Sequence, residues 1–262
     1  MYKARKVDQS VASKLDIDSE FWDAVEKSPR FVNIVNGERA LYDTRVGIVW
    51  SDSYLYVHYW VEEPFISGTM LERDSLLFNE NNVEIFVDGG DVYYELEVSA
   101  NNVVYEVLFA WQDKFDETIA RFPGLDPVAA QALTFGGNND RDAATFWTGT
   151  HPRGLRWAYR NWDLEGLRTE VRLDGTINDH SDVDKGWRAL IKLPWASMEL
   201  LADGRPIPPL EGDIWRFQFA RYERLPELAQ NVGWAWTPVG DADNHVPEKF
   251  TPIEFSTKSI TF

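Results

Sequence analysis

Apolar and polar residues alternate along most of this chain with a period of two. That pattern suits half-buried strands and not helices, whose apolar positions recur every three to four residues. In Arg45–Trp50, Val46, Ile48 and Trp50 share one face. The turn residues Ser51, Asp52 and Ser53 follow, and then Leu55, Val57, Tyr59 and Val61 share a face, with Tyr56, His58 and Trp60 opposite. These two runs read as a hairpin. In Asn82–Asp88, Val83, Ile85 and Val87 lie opposite Glu84, Phe86 and Asp88. Asp88-Gly89-Gly90-Asp91 is a turn signal, because glycine reaches the positive φ that tight hairpins require. Tyr93–Ser99 sets Tyr93, Glu95 and Glu97 against Tyr94, Leu96 and Val98, and Asn101-Asn102 turns the chain into Val103–Trp111. Val83–Trp111 is thus expected to form a three-strand meander.

Further strands are expected at Leu155–Tyr159, Gly166–Leu173, Trp187–Leu193, Asp213–Glu223, Gly233–Val239 and Pro252–Ser256, with a short helix over Trp195–Leu201. Gln112–Thr145 breaks the rhythm with Pro123-Gly124, Asp126-Pro127 and Gly136-Gly137-Asn138-Asn139-Asp140. It reads as a long loop with one helical turn. No fixed-period repeat and no linker divides the 262 residues. The expectation is one all-β domain over residues 1–262: an antiparallel two-sheet β-sandwich with short helical turns in its loops.

Charge and composition exclude several classes. With 43 acidic and 26 basic residues, the formal net charge is −17. A nucleic-acid backbone or an anionic membrane surface needs a basic footprint, so neither is an expected partner. No apolar stretch approaches the ~18–20 residues that span a bilayer. The start of the chain has no apolar core of a secretion signal, which leaves the compartment open. There is no Cys, so thiolate chemistry and disulfides are absent. The unusual number is aromatic: 12 Trp, 10 Tyr and 15 Phe. Most such rings belong in a sandwich core. The remainder suit stacking on the C–H face of a sugar, with acids and amides taking its hydroxyls.

Among catalytic constellations, no Gly-x-Ser-x-Gly occurs, and His58, His151, His180 and His245 fall in no hydrolase motif. Glu84, Glu95 and Glu97 sit on one expected sheet face with Phe86. That face is either a solvated surface, a sugar-binding floor, or a pair of carboxylates for glycoside hydrolysis. Asn178-Asp179-His180-Ser181-Asp182-Val183-Asp184-Lys185-Gly186 concentrates oxygen ligands. It lacks the EF-hand spacing and reads as an Asx-rich turn, with structural Ca²⁺ as the alternative.

Several segments carry a resemblance. They are "NNVEIFVD" from Asn81, "YYELEVSANNVVYEVL" from Tyr93, "GTINDHSDVDKGWRALIKLPWASM" from Gly175, "GDIWRFQFARYE" from Gly212 and "WAWTPVGDADNHVPEKF" from Trp234, followed by "PIEF". Together they resemble the family 9-like carbohydrate-binding modules, from about Leu41 to Phe255. The resemblance implies a DOMON-like β-sandwich that binds glycans without cleaving them. It implies that two rings clamp a sugar while an acid on the "VEIF" strand takes its hydroxyls. Position by position that acid is Glu84, the first ring is Phe78, and the second falls at Asn244-His245. Neither clamp position holds Trp here. The resemblance implies polar partners at Glu95, Glu97 and Arg221, and Trp236 of the Trp236-Thr237-Pro238 signature joins the expected ligand set. It also implies that structural Ca²⁺ is possible.

The expected function is a non-catalytic glycan binder. The alternative is a glycan-active enzyme using the Glu84, Glu95 and Glu97 face. A haem domain of the same fold would draw axial ligands from Met70, Met198 and the four His, but no Met/His pair sits in a matching motif.

Overall fold

The computed structural model describes residues 1–136, 151–225 and 231–260. Fourteen strands form one hydrogen-bonded sheet system. They are β1 (Tyr2–Lys6), β2 (Val32–Asn33), β3 (Thr44–Trp50), β4 (Tyr54–Glu62), β5 (Asn82–Asp88), β6 (Val92–Ser99), β7 (Val104–Trp111), β8 (Leu133–Phe135), β9 (Arg156–Tyr159), β10 (Arg168–Asp174), β11 (Gly186–Pro194), β12 (Ile214–Glu223), β13 (Val232–Ala235) and β14 (Thr251–Ser256). Helices are short: α1 (Gln9–Ala12), α2 (Phe115–Arg121) and α3 (Glu199–Ala202). Among the described residues no helix is long and apolar enough to cross a membrane.

The strand order is β10-β11-β4-β3-β1-β14-β12-β5-β6-β7-β9-β8, with β13 beside β12 and β2. The β3/β4 and β10/β11 half packs onto the β12/β5/β6/β7 half. Val46, Ile48, Val57 and Ile191 meet Val83, Ile85, Leu96 and Phe219 in one core. Across that core Tyr59 donates its hydroxyl to the Glu84 carbonyl at 2.6 Å. The all-β class is therefore as expected, with two differences. The layers belong to one continuous hydrogen-bonded path, not two separate sheets. And β1 runs parallel to both β14 and β3, so the system is not wholly antiparallel. The described part of the expected long loop at 112–145 holds α2, a 3₁₀ turn at Pro123–Leu125 and β8. Its apolar residues Leu125 and Phe135 pack onto the sheet, which orders the segment. Residues 137–150, with the rest of that expected loop and most of its Gly-Gly-Asn-Asn-Asp turn, lie outside the described residues.

The hairpin turns obey local chemistry. Asp88 Oδ1 accepts the Gly90 amide at 2.9 Å, and Gly90 has φ +75°. Ser51 Oγ accepts the amides of Ser53 and Tyr54. Trp50, Trp111, Trp187, Trp195 and Trp215 are fully buried. With Trp22 and Trp234 also buried, seven of the 12 Trp pack in the core clusters.

The two outer faces differ. On the β4 side, Leu15, Ile17, Phe21 and Trp22 of the N-terminal segment cover Val49, Tyr56 and Leu190. His58 lies there between the Trp22 and Trp60 rings, at centroid distances of 4.7 and 4.3 Å. Burial lowers its pKa to about 4, partly opposed by its contact with the Ile17 carbonyl. A His lowered in the fold takes up its proton more readily when unfolded, so its contribution is intact above ~6.5 and is lost as pH falls towards 4. Relative to His58→Leu, the wild type should lose about 3 kcal/mol of unfolding free energy between pH 7 and pH 4. Urea unfolding at the two pH values checks this; equal losses would contradict it.

Candidate functional site

The other outer face carries a cavity of ≈ 340 Å³ over β5, β6, β7, β9 and β12. That is at the small end of ligand sites, which run ~300–1,000 Å³. Strand parity builds its floor. Val83, Ile85 and Val87 point into the core, so Glu84 and Phe86 must point out. Glu84 pairs across the ladder with Glu97 on one side and Ala220 on the other, and Phe86 pairs with Glu95. Directly opposed residues share a face, so these acids meet on one floor. One carboxylate oxygen from each of Glu84, Glu95 and Glu97 lies within 4.8 Å of the others.

The walls are aromatic. Phe78 sits in the 3₁₀ turn Leu77–Asn79 before β5, and its ring meets Tyr105 of β7 at 6.0 Å. Phe109, Phe135 and His245 cluster, with His245 centroids 4.9 Å from Phe109 and 4.6 Å from Phe135. Tyr222 of β12 also lines the space. No Trp lines it among the described residues.

A relay positions the floor acid. Gln218 donates to the Thr237 carbonyl at 2.8 Å and to Asn244 Oδ1 at 3.2 Å. Asn244 Nδ2 then donates to Glu84 Oε2 at 2.9 Å. His245 is held by a 3.0 Å contact between its Nδ1 and the Tyr93 hydroxyl, and its Nε2 lies 3.8 Å from Glu95. Burial pushes the Glu84 carboxyl up to about 8; the Asn244 bond lowers it and Asp243 raises it further. Burial likewise raises Glu95 and Glu97 well above the carboxylate range, and repulsion from Glu84 adds to it in both.

The structure thus brings together Phe78, Glu84, Glu95, Asn244 and His245 at the cavity, with Glu97 in the floor behind them. Two expected residues lie elsewhere. Arg221 pairs with Val83 and so faces the core, not Glu84. Its guanidinium is 1% exposed and bonds Glu223, Thr44 Oγ1 at 3.1 Å and the Glu62 carbonyl at 2.7 Å, with Glu63 at 3.4 Å. Trp236 packs on the core, edge-on to Tyr2 at 5.2 Å and against Phe219 at 5.6 Å. The Asp179–Asp184 loop behaves as a turn. Asp184 spends its two oxygens on the amides of Ile66 and Thr176, and Asp179 accepts the Ser181 amide.

Sequence reasoning missed Tyr105, Phe109, Phe135, Arg160, Tyr222 and Asp243. Parity along β7 and β12 was the available signal for Tyr105, Phe109 and Tyr222, which share the face of Glu97 and Glu84. Phe135 and Arg160 arrive from segments without such a rhythm.

No protein-family model matches the chain. No curated protein matches it at a significant level. Solved structures do. A presumed carbohydrate-binding protein from Bacteroides uniformis ATCC 8492 superposes with TM-score 0.58 at 14% identity, covering 97% of this chain and 98% of that one. A family 9 carbohydrate-binding module from Caldicellulosiruptor kristjanssonii, in complex with cellotriose, gives TM-score 0.54 at 16% identity, over 98% and 94%. Its complex with glucose gives 0.53 at 15% identity, over 99% and 97%. The chain has the fold of family 9 carbohydrate-binding modules.

Proposed function

We propose that this chain binds a sugar in the cavity over Glu84 and Glu95 and does not cleave it. One observation carries the reading: a concave site whose walls are Phe and Tyr rings and whose floor offers buried carboxylates positioned by Asn244. Ring faces suit the C–H face of a pyranose, and carboxylate and amide groups suit its hydroxyls. The cavity is sized for one or two sugar units. Proteins of the same fold hold cellotriose and glucose, so β-glucan oligosaccharides are the first probes. Phe78 and His245 stand at the ring positions, and Phe109, Phe135, Tyr105 and Tyr222 supply the rest of the wall.

The enzyme alternative fares worse on geometry. Glycosidases flank the scissile bond with two carboxyl groups about 5–9.5 Å apart. Glu84, Glu95 and Glu97 rise from adjacent positions of one sheet face. All three therefore reach one side of a ligand and do not flank it. A glycan array should give at least one ligand, and product analysis on that glycan should show no release of reducing ends from pH 5 to 9. Steady release, abolished by Glu84→Gln, would favour the enzyme.

A further inference from the structure

Glu95 is a buried carboxyl that opens on the cavity with no donor to meet it. Its side chain is 9% exposed and lines the space. Among the described residues it makes no hydrogen bond, and its one ion-pair contact is His245 Nε2 at 3.8 Å. Native structures rarely leave such a group unmet. Glu84 lines the same space, and Asn244 serves one of its oxygens, Oε2. The amides that reach this floor are thus spent: Asn244 Nδ2 on Glu84, and Asn82 Nδ2 on Glu97 behind it. Asp243 adds a fourth acid to the lining. Five rings share the space with these acids: Phe78, Tyr105, Phe109, Phe135 and Tyr222. Arg160 also lines it, but is exposed and lies over the Tyr105 ring at 6.0 Å, with no ion pair to the floor acids among the described residues.

We infer, resting on the sugar reading above, that the ligand is an amino sugar whose free ammonium meets the Glu84 and Glu95 carboxylates while its ring lies along the Phe and Tyr walls. A sugar hydroxyl both donates and accepts, and ionised carboxylates answer only its donor side. An ammonium has three donors and no acceptor, so it matches a floor of acceptors. Its hydrogen bonds to carboxylates are charge-assisted, and aromatic walls attract a cation that has left water. The cavity therefore offers an ammonium both of the groups that hold one, and offers an N-acetyl group neither. Burial raises Glu84 to about 8 and holds Glu95 and Glu97 well above the carboxylate range, with repulsion among the acids adding to it. Near pH 6 the empty floor thus keeps its protons. A cation that pairs with an ionised carboxylate lowers that group's pKa and displaces a proton to solvent.

Three disaccharides with one linkage and different 2-substituents provide the test: cellobiose, β-1,4-linked diglucosamine and its N-acetylated form. Calorimetry near pH 6, where the sugar amines are charged, should find the diamine at least about tenfold tighter than either of the others. Run in two buffers of different ionisation enthalpy, the diamine should release about one proton per site and cellobiose none. Glu95→Gln should bring the diamine and cellobiose affinities together, and Glu84→Gln serves as the second variant should Glu95→Gln not fold. Ethylammonium chloride should bind at least about tenfold weaker than the diamine, because it brings no pyranose to the rings. A diamine no tighter than cellobiose, no proton release, or an advantage that survives the floor variants would overturn the inference and leave the sugar reading standing. Ethylammonium bound as tightly as the diamine would overturn it as well, by taking the sugar out of the recognition. Failure of every glycan on the array would sink both.

Discussion

Arg221→Met should lower the unfolding free energy by about 3–5 kcal/mol, the range seen when one partner of a buried ion pair is removed. Arg221 lies inside the sandwich with Glu63 and Glu223, which are 0% and 4% exposed. The two acids are also tied by Asn81, at 2.6 Å to Glu63 and 3.2 Å to Glu223, and Trp187 Nε1 donates to Glu63 at 2.6 Å. Those neutral donors remain in the variant, but the positive charge does not. Burial already pushes Glu223 up to about 7, held from rising further by Arg221 and raised by Glu63. The variant should therefore force a carboxyl to take a proton at neutral pH. Arg221→Lys should recover only part of the loss, since a single ammonium cannot reach Glu223, Thr44 and the Glu62 carbonyl together. Urea unfolding reads both. A cost under about 1 kcal/mol, or an affinity loss for glycan without a stability loss, would return Arg221 to the binding site.

Glu84→Ala should weaken glycan binding by about 1–3 kcal/mol, roughly five- to hundredfold in Kd. Alanine removes the hydrogen bond whether the wild-type carboxyl accepts it or, protonated, donates it. It also frees the Asn244 amide that now bonds Glu84 Oε2 at 2.9 Å. The fold should survive, because the change deletes a buried carboxyl from an outer face and leaves the Val83, Ile85 and Val87 side of β5 in place. Calorimetry with the tightest array glycan checks the affinity, and a thermal melt checks the fold. Unchanged affinity would remove Glu84 from the site.

Parity carried most of what was legible. Alternation in Asn82–Asp88 already separated Val83, Ile85 and Val87 from Glu84 and Phe86, and the structure keeps that division. The same rule applied to β12 sets Arg221 with Trp215, Phe217 and Phe219, on the core side. Carrying Arg221 over from the family pattern overrode that local signal. Tyr2 and Ala4 alternate as well, but Lys3, Arg5 and Lys6 disguise an edge-like run that in fact bridges β14 and β3. Phe135 was not legible, because β8 is short and forms only by pairing with β9. Asn244 and His245 lie on no strand. Only the resemblance pointed to them, and the cavity accounts for them through Gln218 and Tyr93.

The most direct test is to map a bound glycan on the ¹⁵N-labelled protein by amide chemical-shift changes. A second groove, lined by Lys27, Trp60 and Arg188, lies on the other half of the molecule and provides the contrast. Shifts centred on Glu84, Glu95, Phe109, Asn244 and His245, with the Trp60 groove unmoved, are the expected result. Shifts confined to Lys27, Trp60 and Arg188 would contradict the account.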